Sequence, residues 1–181
     1  SEIKVINEAG DTIYQGFDGY IVVSRFIENH GTLEEIKKEY IESRGFVNNK
    51  INPTIKHKAL FGIASTMKLF FIFKSAFLNL TLDNVIIDSN FEPRIGFHAA
   101  QKFDQYIYNC NDNYFYIAPE VVIDDDEFNF LIADVYSFAF IMYLLFSNSV
   151  TFHDEKESTW SEELKKISRG LRPKIPKNIS D

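Results

Sequence analysis

Residues 116–146 decide how this sequence is read. They run Tyr116-Ile117-Ala118-Pro119-Glu120-Val121-Val122, then an acidic run Asp124-Asp125-Asp126-Glu127, then Phe130-Leu131-Ile132-Ala133-Asp134-Val135-Tyr136-Ser137-Phe138 and on to Phe146. From Leu131 to Phe146 the chain is apolar on nearly every helical face, interrupted by Asp134. That stretch is shorter than the roughly 18–20 apolar residues a bilayer span needs. A helix apolar all round is expected at the centre of a protein core. The acidic run before it lacks the ligand spacing of a calcium loop, so a solvated turn is expected there.

Working outward, the composition sets the class. The chain has 181 residues, 45% apolar and 25% charged, the balance of a globular domain. Eighteen phenylalanines and nine tyrosines point to an aromatic core. The formal net charge of −7 argues against nucleic acid and against membrane surfaces as partners, because both are anionic. Cys110 is the only cysteine, which excludes an internal disulfide and a thiolate zinc cluster and fits a reducing, cytoplasmic setting. His30, His57, His98 and His153 are dispersed, without carboxylates or thiols at ligand spacing.

The periodicities order the elements. Gly19 to Ile27 is β-branched and aromatic and is expected as a strand, punctuated by Glu28-Asn29-His30-Gly31. Thr32 is placed to cap a helix carrying Leu33 and Ile36. Pro53-Thr54 opens a longer helix, with Ile55, Leu60, Ile63, Met67 and Phe70 at helical spacing. Ser75 to Asp88 has no helical period and reads as a tight loop, then a short strand Val85-Ile86-Ile87. Asp88-Ser89-Asn90 is a turn, and Pro93-Arg94-Ile95 starts the pairing strand. A surface loop is expected from Gln101 to Tyr114, and a short helix from Trp160 to Ile167.

In this order the landmarks resemble the protein-kinase superfamily, nearest its tyrosine-kinase-like branch. Ala118-Pro119-Glu120 is similar to the Ala-Pro-Glu motif that closes an activation segment, and Asp134 to Phe138 to the start of the family's central helix. Leu80, Asn84, Val85 and Asp88 fit the catalytic-loop frame, and Gly170-Leu171-Arg172-Pro173 resembles the segment after the next helix. The resemblance implies an α+β, protein-kinase-like fold: a mostly helical C-lobe with a hinge and remnant N-lobe strands, truncated at both ends. Residues 1–27 would be the N-lobe remnant (the end of helix C, with Glu2 at its glutamate, and strands four and five) and the hinge. Residues 28–181 would be a C-lobe lacking its last helices. It puts Ser24 at the gatekeeper and Arg25, Phe26 and Ile27 at the nucleotide hinge. The glycine-rich loop and strand-three lysine would precede Ser1.

The same resemblance implies that the chemistry is lost. Against the family pattern His-Arg-Asp-Leu-Lys-x-x-Asn, this chain has Phe77, Leu78, Asn79, Leu80, Thr81, Leu82, Asp83 and Asn84. Asn79 replaces the base, Leu78 the phosphate-gripping arginine and Thr81 the lysine. Gly96, before Phe97, stands where Asp-Phe-Gly has its metal-binding aspartate. Asn84 keeps the position of a metal ligand, and a structural asparagine is the competing reading. The expectation is a catalytically inactive pseudokinase that binds a protein partner, with no cofactor. The alternative is a divergent ATP- and magnesium-dependent kinase using Asp83 or Asp104.

Overall fold

The computed structural model describes residues 4–6, 12–15, 26–42, 53–96, 114–122, 129–147 and 159–173. Among these, strands and helices both occur, so the fold class is α+β. Strands β1 (Lys4–Ile6) and β2 (Thr12–Gln15) form an antiparallel pair. A strand therefore occupies 4–6, where the resemblance placed the end of a helix. Glu2, Ser24 and Arg25 lie outside the described residues, as do the expected strand positions 19–25.

The second sheet has three antiparallel strands in the order β3-β4-β5: Asn29–Thr32, Val85–Asp88 and Pro93–Ile95. The β4–β5 hairpin matches the sequence expectation, pairing Val85 with Ile95, Ile86 with Arg94 and Ile87 with Pro93. Strand β3 does not: it runs through the residues read as punctuation, and Phe26 and Ile27 are outside it. A break in register between Asn29 and Thr32 makes room for Gly31, whose φ of +110° no L side chain tolerates.

Helix α1 (Leu33–Glu42) starts where its cap predicts. Thr32 Oγ1 accepts from the Glu35 N–H at 3.2 Å, and Glu35 Oε2 accepts from the Thr32 N–H at 2.8 Å, a reciprocal capping box. Helix α2 (Pro53–Ile72) buries Ile55, Ala59 and Ile63. Its Gly62 lies against Pro93 of β5, so closely that an added Cβ would stand 2.2 Å from the proline Cγ. A proline ring on a helical glycine is what lets the hairpin edge seat on α2.

A short helix, α3 (Pro119–Val122), begins with proline at its first position, where no donor is lost. Helix α4 (Phe130–Phe146) follows an Asn129 cap, and helix α5 (Trp160–Ser168) starts with the Thr159–Glu162 capping box. The core joins Leu33 and Ile36, Ala59 and Ile63, Leu80, Leu82, Val85 and Ile87, Tyr116, Phe140, Ile141, Leu144 and Leu145, and Ile167. A smaller cluster of Ile117, Ala118, Val121, Ala133 and Leu164 ties α3 to α4 and α5.

One expectation is corrected here. Helix α4 is not buried all round: Ile132 is 56% and Val135 51% exposed, and Phe130 and Met142 are exposed too. Its buried face is Ala133, Asp134, Ser137, Phe140, Ile141, Leu144 and Leu145. Composition cannot distinguish faces in an apolar helix. Packing does, and among the described elements α4 meets α2 and the Tyr114–Tyr116 turn.

Candidate functional site

The candidate site is the loop between α2 and β4, which contains every position assigned to phosphoryl transfer except Gly96. Helix α2 ends in a left-handed stop at Lys74, with φ of 53°. The Lys74 N–H bonds Phe71 O at 3.1 Å and the Ser75 N–H bonds Phe70 O at 2.9 Å. This pair of bonds reverses the chain without glycine. Phe77 then folds back onto Phe70, with ring centroids 3.8 Å apart.

At Phe77 and Leu78 the loop meets α4. Asp134 Oδ2 accepts from the Phe77 N–H at 2.6 Å and Oδ1 from the Leu78 N–H at 2.8 Å. Both carboxylate oxygens are thereby committed to backbone donors more than fifty positions away in sequence. Leu78 has φ of 57°, a region costly for a side chain that branches, and the two bonds hold it there. Asp134 is 4% exposed. Burial pushes its carboxyl above the usual range, and the N–H groups of Phe77 and Leu78 pull it back.

Two residues downstream the sequence-assigned positions converge. The Asn84 side-chain amide donates to Asn79 O at 2.8 Å, and the Gly96 N–H donates to Asn84 O at 2.8 Å. The Leu82–Asn84 turn, a short 3-10 helix, carries Asn84 to the start of β4. Thr81 is 3% exposed, and its Oγ1 has no hydrogen-bond partner among the described residues. Asn79, Asn84 and Gly96 thus share one hydrogen-bonded corner. None of the three carries a charge.

That corner does not fit a magnesium–phosphate centre. A divalent cation beside phosphate is held mainly by carboxylate oxygens, and this corner offers only the neutral amide of Asn84, whose nitrogen braces the loop. Among the described residues no three His, Cys, Asp or Glu side chains gather as a ligand set. Asp83, the nearest carboxylate in sequence, is exposed. Burial and then the charge of Glu34 push its carboxyl upward, with Lys38 opposing and Glu35 adding, so its ionisable neighbours are on α1. Asp104 lies outside the described residues.

The Ala118-Pro119-Glu120 landmark and α4 are also joined. Ser137 Oγ donates to Tyr116 O at 2.7 Å, and Tyr116 packs edge-on against Phe140 with centroids 5.1 Å apart. Ala118 is buried, Pro119 opens α3 and Glu120 is half-buried. Arg172 of the Gly170–Pro173 segment stacks its guanidinium 5.5 Å from the Tyr136 ring.

Phe26 and Ile27, which the resemblance assigned to a hinge, sit elsewhere. Phe26 is 84% exposed and, with Ile27 and Glu28, lines one side of an open cleft of about 530 Å³. The hairpin end also lines it, through Asp88, Ser89, Asn90 and Arg94. Asp88 Oδ1 accepts from the N–H groups of Asn90 and Glu92, each at 2.9 Å, and Oδ2 lies 2.9 Å from an Arg94 terminal nitrogen. The Glu92 N–H, ahead of Arg94 and the Asn90 N–H, draws the Asp88 carboxyl below its usual range, against a burial effect that pushes it up. Neither Asn79, Thr81, Asn84 nor Gly96 lines this cleft.

Sequence reasoning named Asp134 as a landmark and missed what it does. The available signal was a lone carboxylate in an otherwise apolar helix, which must find donors when buried. The chain matches no protein-family model and no curated protein.

Proposed function

We propose that this chain is a protein-kinase-like domain that has lost phosphoryl transfer and acts as a protein-interaction or regulatory module. The carrying observation is the contrast within one loop. The bonds that shape it are intact, from Asp134 to Phe77 and Leu78 and from Asn84 to Asn79, while positions 79, 81 and 96 hold Asn, Thr and Gly. Catalysis of phosphoryl transfer is positioning plus charge neutralisation. Here only the positioning scaffold remains, and a scaffold without charge binds surfaces rather than turning over phosphate.

The test is phosphotransfer by the full-length protein with ATP and either magnesium or manganese. No turnover above a boiled control is expected. Turnover that disappears in Asn79→Ala would overturn the proposal. The second reading, a divergent serine/threonine or tyrosine kinase, has one observation in its favour: the upward-shifted carboxyl of Asp83. A thermal shift on adding ATP with magnesium, abolished in Asp83→Asn, would support it.

A further inference from the structure

The cleft beside the β4–β5 hairpin takes no part in the corner of Asn79, Asn84 and Gly96, yet it brings an aromatic ring and a carboxylate together. Phe26 is 84% exposed, more than any other large apolar residue among those described. One exposed ring is ordinary on a surface, but this one shares a cavity of about 530 Å³ with Glu28. The cleft is also formed in advance. The Ser89 N–H donates to Glu28 O at 3.0 Å, the Asn29 side-chain amide donates to Ile27 O at 2.8 Å, and Asn29 pairs with Asp88 across β3 and β4. A lining already tied down loses little freedom when a ligand arrives.

The charges of the lining say what would enter. Asp88 is buried and both its oxygens are taken, by the N–H groups of Asn90 and Glu92 and by the Arg94 guanidinium. That pair cancels. Glu28 is exposed, and its carboxylate has no ion-pair or hydrogen-bond partner among the described residues. The cleft therefore carries one net negative charge, inside a chain of net charge −7, so the near and the distant fields both draw a cation. The single ring decides which cation. A guanidinium is planar and weakly hydrated, so it lies flat on one aromatic face and still meets a carboxylate through its N–H fork. An ammonium is compact and strongly hydrated, and a quaternary ammonium is held by a cage of several rings, of which this lining offers one.

We infer that this cleft binds an arginine side chain of a protein partner, its guanidinium stacked on Phe26 and paired with Glu28. The inference rests on the interaction-module reading and names the chemistry of the partner.

The experiment follows amide chemical shifts of the full chain during titration with capped Gly-Gly-X-Gly-Gly peptides, where X is arginine, citrulline, lysine or trimethyllysine. The arginine peptide is expected to bind about tenfold tighter than its uncharged citrulline isostere and about threefold tighter than the lysine peptide. Its shifts should centre on residues 26–28 and 88–90, and its affinity should fall as salt is raised. Phe26→Ala and Glu28→Gln are each expected to weaken it by about threefold or more. Because both side chains are exposed, the unfolding midpoints of these variants should stay at the parent value. Citrulline binding as tightly as arginine, or trimethyllysine binding more tightly, would overturn the inference. So would an affinity unchanged in the double variant Phe26→Ala/Glu28→Gln, or the lack of any saturable shift up to millimolar peptide. Phosphotransfer measured on the same samples separates the two claims: turnover with the arginine preference intact would remove the inactive-module reading and leave the cleft standing.

Discussion

Helix α4 is apolar at 15 of its 17 positions and helix α2 at 11 of its 20, and the two are buried in different ways. Helix α4 buries seven residues of its 17, among them Asp134 and Ser137, each bonded to backbone of another segment. Helix α2 is longer at 20 residues and buries three, all apolar. The difference teaches that in a helix apolar all round, the polar residues mark the side that touches the protein. A buried Asp or Ser must have partners, so it reports tertiary contact, whereas a Phe or Ile is at home on either side.

The largest expected effect tests the aromatic half of the α4 face. Phe140→Ala removes a ring that packs on Tyr116 and stacks 5.8 Å from Phe115, and should cost about 3–5 kcal/mol in urea unfolding. Asp134→Ala leaves two backbone N–H groups of a strained loop without acceptors, and a loss of about 3 kcal/mol is expected. A loss below about 1 kcal/mol would break the claim that the polar residue marks the seam.

Helix α2 meets the hairpin closely at Gly62, and Gly62→Ala probes that contact. The new methyl meets Pro93, so overpacking of about 1–3 kcal/mol is expected, and Pro93→Ala in the same chain should recover most of it. Purely additive losses would separate α2 from the hairpin.

The pH dependence is smaller. Burial lowers Lys37 of α1 from 10.5 to about 8, outweighing nearby Glu34. Between those values the unfolded chain holds a proton that the folded chain lacks, so stability rises with pH across that window. Burial raises Tyr114 from 10.0 to about 12, which takes stability away as pH climbs between those values. Urea midpoints should therefore rise from pH 8 toward 10, and the rise should shrink in Lys37→Met, leaving the part that burial of Lys56 contributes with the same sign. Smallest of all, Phe71→Ser on the outer face of α2 should change stability by no more than about 0.5 kcal/mol.

The sequence made much of the secondary structure legible. Thr32, Pro53 and the Asp88 turn each carry a local signal, and each element begins or turns where that signal stands. Strand β3 was not legible, because its Asn-His-Gly-Thr lacks β-branched alternation and is held by pairing with β4. At the site, the absence of charge at Asn79, Thr81 and Gly96 is written in the residues themselves. Their assembly with Asn84 into one hydrogen-bonded corner is not.

By itself, then, the sequence determined which side chains this protein has to work with: no carboxylate at 79 or 96, and no acid from 43 to 82. Such facts survive any packing, because charge belongs to the residue. Only the tertiary structure decided which face of α4 is inside, that Asp134 holds the loop from 57 positions away, and that Phe61, Leu69, Phe71 and Ile72 of α2 face solvent. Those depend on which surfaces meet, and an apolar side chain carries no record of the neighbour it will find.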